Sequence, residues 1–189
     1  YVHDLRKGTL NSEKISTSAK KGLRIFIGEG KCILCHVGPT FSDGEFHNIG
    51  LEKLPQLRVD YGRYEGVLAV MADPLNGLGE YSDNQEKEEN KKIYYLERKL
   101  SNAGEFKTPT LRNIANSAPY MHDGSLETLG DVINHYKNMD KFPAAGHTEE
   151  SLQPLNLNKA DIANLIEFLK ALTDESLDEN LKKAPNTPL

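Results

Sequence analysis

The chain has 189 residues, 38% of them hydrophobic and 27% charged, enough for one large domain or two small ones. Its 23 basic and 28 acidic side chains give a net charge of −5, which disfavours a general nucleic-acid binder, and no apolar run approaches a membrane span. The hydrophobic share is thin for a buried core and suggests that a bound group or a partner supplies a missing wall.

In chain order, residues 1–12 read as the end of a linker helix: Tyr1, Leu5 and Val2 have helical spacing and Gly8 stops them. No initiator methionine or signal peptide is present, so the chain reads as a processed or truncated product. A main domain is expected over 13–175, with a loop or helix insert at about 51–104 and a tail at 176–189. Ser16 or Ser18 predicts the cap of a helix running to about Gly28, with Leu23, Phe26 and Ile27 on its apolar face. Residues 37–62 and 73–84, rich in Gly, Pro, Asp and Asn, read as loop. Residues 83–99 hold five acids and five bases and read as a solvated helix or lid rather than a docking patch. A second helix is predicted over 126–137, with Leu129, Val132, Ile133 and Tyr136 facing inward. A third begins at Asn158, where Asn158 and Asp161 form a cap-like pair ahead of the stripe Ile162, Leu165, Phe168, Leu169 and Leu172. Three amphipathic helices joined by long loops predict an all-α fold.

The two cysteines stand in the run Cys32-Ile33-Leu34-Cys35-His36. This is the attachment motif of c-type haem. Two thiols three residues apart on one turn can add to the two vinyl groups of one porphyrin, and the adjacent imidazole then lies under the iron. Random placement of two cysteines and six histidines produces this pattern on the order of 1 time in 3,000. A redox dithiol needs a strand-to-helix setting that Gly28-Glu29-Gly30-Lys31 does not suggest, and a zinc site needs a second ligand pair that the chain lacks. A c-type haem also fits the thin apolar content, and makes the all-α fold cytochrome c-like.

Iron held by His36 has one more axial position. Methionine there raises the reduction potential relative to a second histidine. The residues available are Met71, Met121 and Met139 and the histidines at 3, 47, 122, 135 and 147. Met121 lies in a turn bracketed by Pro119 and Gly124, Met139 follows the second predicted helix, and Met71 reads as core. His122 adjoins Met121, so both cannot hold one iron. His47 reads as a ligand for loop backbone or a haem propionate, and His3, His135 and His147 as surface or helix-face residues.

Four ordered blocks resemble the C-terminal haem domain of bacterial dihaem cytochrome c peroxidases and their MauG-type relatives. They are Cys32-Ile-Leu-Cys-His-Val-Gly-Pro39, Phe41-Ser-Asp-Gly-Glu-Phe-His-Asn-Ile-Gly50, Phe106-Lys-Thr-Pro-Thr-Leu-Arg-Asn113 and Ala118-Pro-Tyr-Met-His-Asp-Gly-Ser125. The resemblance covers residues 10–172. It implies a high-potential haem c with His36 as proximal and Met121 as distal ligand. That haem takes electrons from a small cytochrome c or cupredoxin and relays them to a peroxide-reacting haem in an N-terminal domain or second subunit. It also implies a calcium ion between the two domains, held in part by backbone carbonyls that fall here at 102–104. Arg63 and Arg112 are expected to pair with haem propionates, since a guanidinium matches a carboxylate in bidentate fashion. Two departures qualify the match. The chain has one haem motif where the family has two. And methylamine-pathway members that modify tryptophan carry tyrosine where Met121 stands, so methionine favours electron relay.

The leading expectation is therefore an electron-relay domain of a dihaem peroxidase in the bacterial periplasm, since haem c is attached outside the cytoplasm. The alternatives are a stand-alone monohaem carrier and a haem subunit of a larger redox complex. The 51–104 insert favours the first and third readings, because carriers are usually compact. A homodimer stays open.

Overall fold

The computed structural model describes residues 6–7, 13–52, 56, 58–139 and 143–174. The expected linker end over 1–12 lies almost wholly outside these residues, and the 176–189 tail wholly outside. The described chain is mainly helical, with one two-stranded sheet. It divides into two compact units, one of residues 1–43, 109–133 and 156–189, the other of 44–108 and 134–155.

In the first unit α1, Thr17–Ile27, starts where the Ser16 side chain accepts from the Ala19 N–H, satisfying a donor that the helix itself cannot. It buries Ala19, Gly22, Ile25 and Phe26. Its partner is the C-terminal helix Lys159–Lys170, which opens with the expected capping box of Asn158 and Asp161 and buries Leu165, Phe168 and Leu169. The two helices meet at Gly22, where an added Cβ would lie 2.0 Å from the Asn164 carbonyl oxygen. Only a residue without a side chain admits that approach. Phe26, almost fully buried, packs its ring 5.1 Å from that of Phe168 and 6.0 Å from that of Phe41, and these rings form the centre of the core.

The second unit holds the sheet, with β1, Phe46–His47, antiparallel to β2, Phe106–Lys107, in the register Phe46 opposite Lys107. Its helices are α2, Arg63–Ala72, and the short α3, Glu88–Lys91. Residues 83–99 are mostly exposed, as a solvated segment should be. The sequence gives no sign of α2, and Met71, read there as core, is half exposed. The reason is that α2 is apolar nearly all round and buries only Val67, so no amphipathic period marks it.

The remaining helix, α4, Leu129–Lys137, is three residues shorter at its start than the predicted 126–137. Leu126 instead pairs with Tyr120 in an isolated antiparallel bridge. The C-terminal helix is hereafter α5.

Candidate haem-binding site

The end of α1 delivers the motif. The Gly28 N–H donates to the Arg24 and Ile25 carbonyls, and the Gly30 N–H to that of Ile25 at 2.8 Å. A Cβ on Gly30 would lie 2.7 Å from that same oxygen and 3.4 Å from Cys32 Sγ, so the chain turns tightly here because Gly30 has none. Lys31 takes a left-handed conformation and Cys32–Leu34 form one 3-10 turn. The Cys35 and His36 N–H groups both donate to the Cys32 carbonyl, which stacks the two cysteines and the histidine on one turn.

His36 Nδ1 lies 2.9 Å from the Phe41 carbonyl oxygen. A carbonyl only accepts, so Nδ1 carries the proton and the imidazole lone pair is on Nε2. A metal-bound histidine almost always uses its second nitrogen this way, which fixes the ring and makes the ligating nitrogen more basic. Phe41 itself is left-handed at φ 52°. The loop that carries it closes through Ser42 N–H to the Val37 carbonyl and Asp43 N–H to the Cys35 carbonyl.

Burial, more than the nearby Cys35, pushes the Cys32 thiol up to about 11. Redox dithiols need the opposite shift to be nucleophilic at neutral pH. The turn that stacks both thiols beside His36, whose Nδ1–H is held by Phe41, has the spacing a covalent haem needs. Near the motif Ile27, Leu34 and Val37 are apolar yet exposed, at 53%, 55% and 37%, which is the kind of surface a porphyrin covers. Ser125 Oγ is buried without a hydrogen-bond partner among the described residues, in the loop that carries Met121. A polar group entering there would satisfy it.

Met121 is half-buried and left-handed at φ 71°. Buried Tyr120 beside it exchanges backbone hydrogen bonds with Leu126 and donates its hydroxyl to the Ile114 carbonyl. The Gly124 N–H closes the turn on the Met121 carbonyl. Met121 thus sits in an ordered turn of the same unit as Cys32, Cys35 and His36, whereas Met71 and Met139 belong to the other. His122 is exposed.

The remaining expected residues have partners of their own. Arg63 pairs with Glu105 at 3.0 Å and lies over the Phe46 ring, within the second unit. Arg112, in the first, donates from Nε to the Pro39 carbonyl at 2.8 Å and covers the Phe41 ring at 5.0 Å. His47 Nδ1 meets Glu149 at 3.1 Å, and His135 Nε2 donates to the Ile49 carbonyl. Buried Asn48 donates to the Ala103 and Ala145 carbonyls and accepts from the Gly50 N–H, holding the 102–104 segment in place. Sequence reasoning gave Phe41, Asn48 and Glu149 no role of their own. For Phe41 no signal exists, because the working atom is a backbone oxygen that every residue carries.

No protein-family model matches the chain. It is 32% identical to the cytochrome-c peroxidase IdrP1 of Denitromonas iodatirespirans over 84% of this chain and 41% of that protein. It is 29% identical to the methylamine utilization protein MauG of Methylorubrum extorquens over 90% of this chain and 39% of that one. The chain thus spans about two fifths of the length of these relatives. Its structure matches that of a MauG-like protein associated with microbial copper homeostasis, with a TM-score of 0.59, 26% identity, and coverage of 92% of this chain and 51% of the other.

Proposed function

Because the chain belongs to the family of bacterial dihaem cytochrome c peroxidases and MauG proteins, we propose that it is the haem c electron-transfer domain of such a protein. In this reading it takes electrons from a small cytochrome c or cupredoxin and passes them to a peroxide-reducing haem in another domain or subunit. Bound haem c supplies a one-electron couple. Cys32 and Cys35 would hold it covalently, each thiol joined to one vinyl group with its hydrogen on the neighbouring vinyl carbon. His36 would ligate the iron through Nε2, and the Met121 thioether would be its second protein ligand. That pair holds a higher potential than two imidazoles would. Arg112, in the same unit as the motif, is better suited than Arg63 to meet a propionate, since Arg63 is committed to Glu105. Covalent haem attachment outside the cytoplasm makes the compartment the periplasm.

The observation that carries this reading is the His36 ring, whose Nδ1–H is held by Phe41 while Cys32 and Cys35 share its turn. The test is the intact mass of the purified chain under denaturing conditions, with the near-infrared sulfur-to-ferric charge-transfer band of the native protein. One haem retained per chain and a band lost in Met121→Ala are expected. Haem that extracts into acidified solvent overturns the attachment. A band that survives Met121→Ala and disappears in Met139→Ala overturns the distal ligand.

A further inference from the structure

The loop that orients His36 is held by more than its own backbone hydrogen bonds. Phe41 needs a left-handed backbone to aim its carbonyl at Nδ1, a conformation that a residue with a side chain adopts only when its surroundings impose it. Three contacts from the segment 110–112 impose it. The Thr110 hydroxyl donates to the Thr40 carbonyl at 2.5 Å. The same oxygen accepts the Arg112 N–H at 3.1 Å, so the hydroxyl is fixed from both sides. The Arg112 side chain then spans the loop, with Nε–H on the Pro39 carbonyl and the guanidinium over the Phe41 ring. The rings of Phe26 and Phe168 also meet that of Phe41 edge to face, with centroids 6.0 and 6.2 Å away.

We propose that Arg112 is a positioning residue for the proximal ligand: by clamping Pro39 and Phe41 it keeps the Phe41 carbonyl on His36 Nδ1–H, and so sets the basicity of the ligating nitrogen. The role goes beyond a propionate contact, because it acts through the backbone of the loop and needs the flat guanidinium as well as its charge. A firm Nδ1–H bond makes Nε2 a better donor and favours ferric iron. Loosening it therefore raises the reduction potential. Loss of a nearby positive charge alone does the reverse, because a cation favours the more reduced state. The two roles of one arginine thus have opposite signs.

The inference rests on His36 being the iron ligand, and its test separates the two. The haem-loaded chain is compared with Arg112→Lys, which keeps the charge but loses the planar fork, and Arg112→Leu, which loses both. The readouts are the hydrogen-exchange rate of the His36 Nδ1–H by proton NMR and the reduction potential. Exchange about tenfold faster in both variants is expected, as for local opening of a held segment, with a higher potential in Arg112→Lys. Unchanged exchange in both variants overturns the positioning role, and so does a potential that falls in Arg112→Leu while staying unchanged in Arg112→Lys, which marks a charge effect. If Arg112→Leu fails to fold, Arg112→Lys decides by its exchange rate. A His36 ring proton with no haem-induced shift in the unsubstituted protein overturns the ligand assignment itself.

Discussion

Gly22→Ala should destabilise the first unit, and its size can be worked from the contact between α1 and α5. The new Cβ would stand 2.0 Å from the Asn164 carbonyl oxygen and 2.7 Å from Phe168 Cβ, against an ordinary contact of at least 3.4 Å. The helices must separate by about 1.4 Å, and the obstruction is backbone, so no side-chain rotation relieves it. Overpacking of this kind costs about 3 kcal/mol. The better helix propensity of alanine returns about 1 kcal/mol. The net loss is roughly 2 kcal/mol, which in a chain of this length lowers Tm by about 4–8 °C. The substitution has its own control. Gly66 lies in α2, and a Cβ there meets nothing within 4 Å. Gly66→Ala should therefore stabilise by about 0.5–1 kcal/mol. Thermal unfolding of the two haem-loaded variants, followed by circular dichroism, measures both. A Gly22→Ala protein as stable as the original, or a Gly66→Ala protein equally damaged, would refute the packing argument.

Met121→Ala should lower the reduction potential measured by spectroelectrochemistry, because the thioether that favours ferrous iron is gone; an unchanged value would exclude Met121 as ligand. If the chain relays electrons to a second haem as proposed, it should reduce peroxide far more slowly alone than with that haem's domain or subunit, since peroxide cleavage needs an open iron position and an acid–base group beside it. Equal turnover in a steady-state assay with reduced donor would make this the peroxide-reacting haem instead. Asn48→Leu strips the partners from two carbonyls and one N–H in a buried setting and should cost about 3–5 kcal/mol in urea unfolding. Asn158→Ala removes the α5 cap and should cost about 1 kcal/mol by the same measurement.

Which parts of this protein could be read from its residues follows from where each signal is stored. Helices α1 and α5 declare themselves because their caps are side chains, Ser16 and Asn158, and their buried stripes repeat with the helical period. Helix α2 does not, because a helix packed through Val67 alone leaves no pattern to find. Cys32, Cys35 and His36 stand out because their spacing is that of one turn, and the structure places all three on one turn. Arg63 and Arg112 are legible only as cations. Glu105 lies 42 residues from one, and Pro39 73 residues from the other, so what each arginine holds depends on tertiary contacts.

The backbone itself carries a further mark of the site. Among the described residues four other than glycine have positive φ: Lys31, Phe41, Asn113 and Met121. Such conformations cost of order 1–3 kcal/mol each and persist where surrounding structure imposes them. None is scattered. Lys31 turns the chain into Cys32, Phe41 presents the carbonyl that holds His36, and Met121 is the residue proposed above as the second iron ligand. Asn113, the type best suited to this geometry, follows Arg112 and ties its segment to the end of α5. Its N–H donates to the Leu172 carbonyl and its Oδ1 accepts from Asp174. The α1–α5 pair and its phenylalanine core thus do more than stabilise the unit. They pack against Phe41 and tie down Asn113, two of the four left-handed residues, and Phe41 is the one whose carbonyl meets His36. A weaker helix pair would let those two residues relax and lose the geometry before it lost the fold.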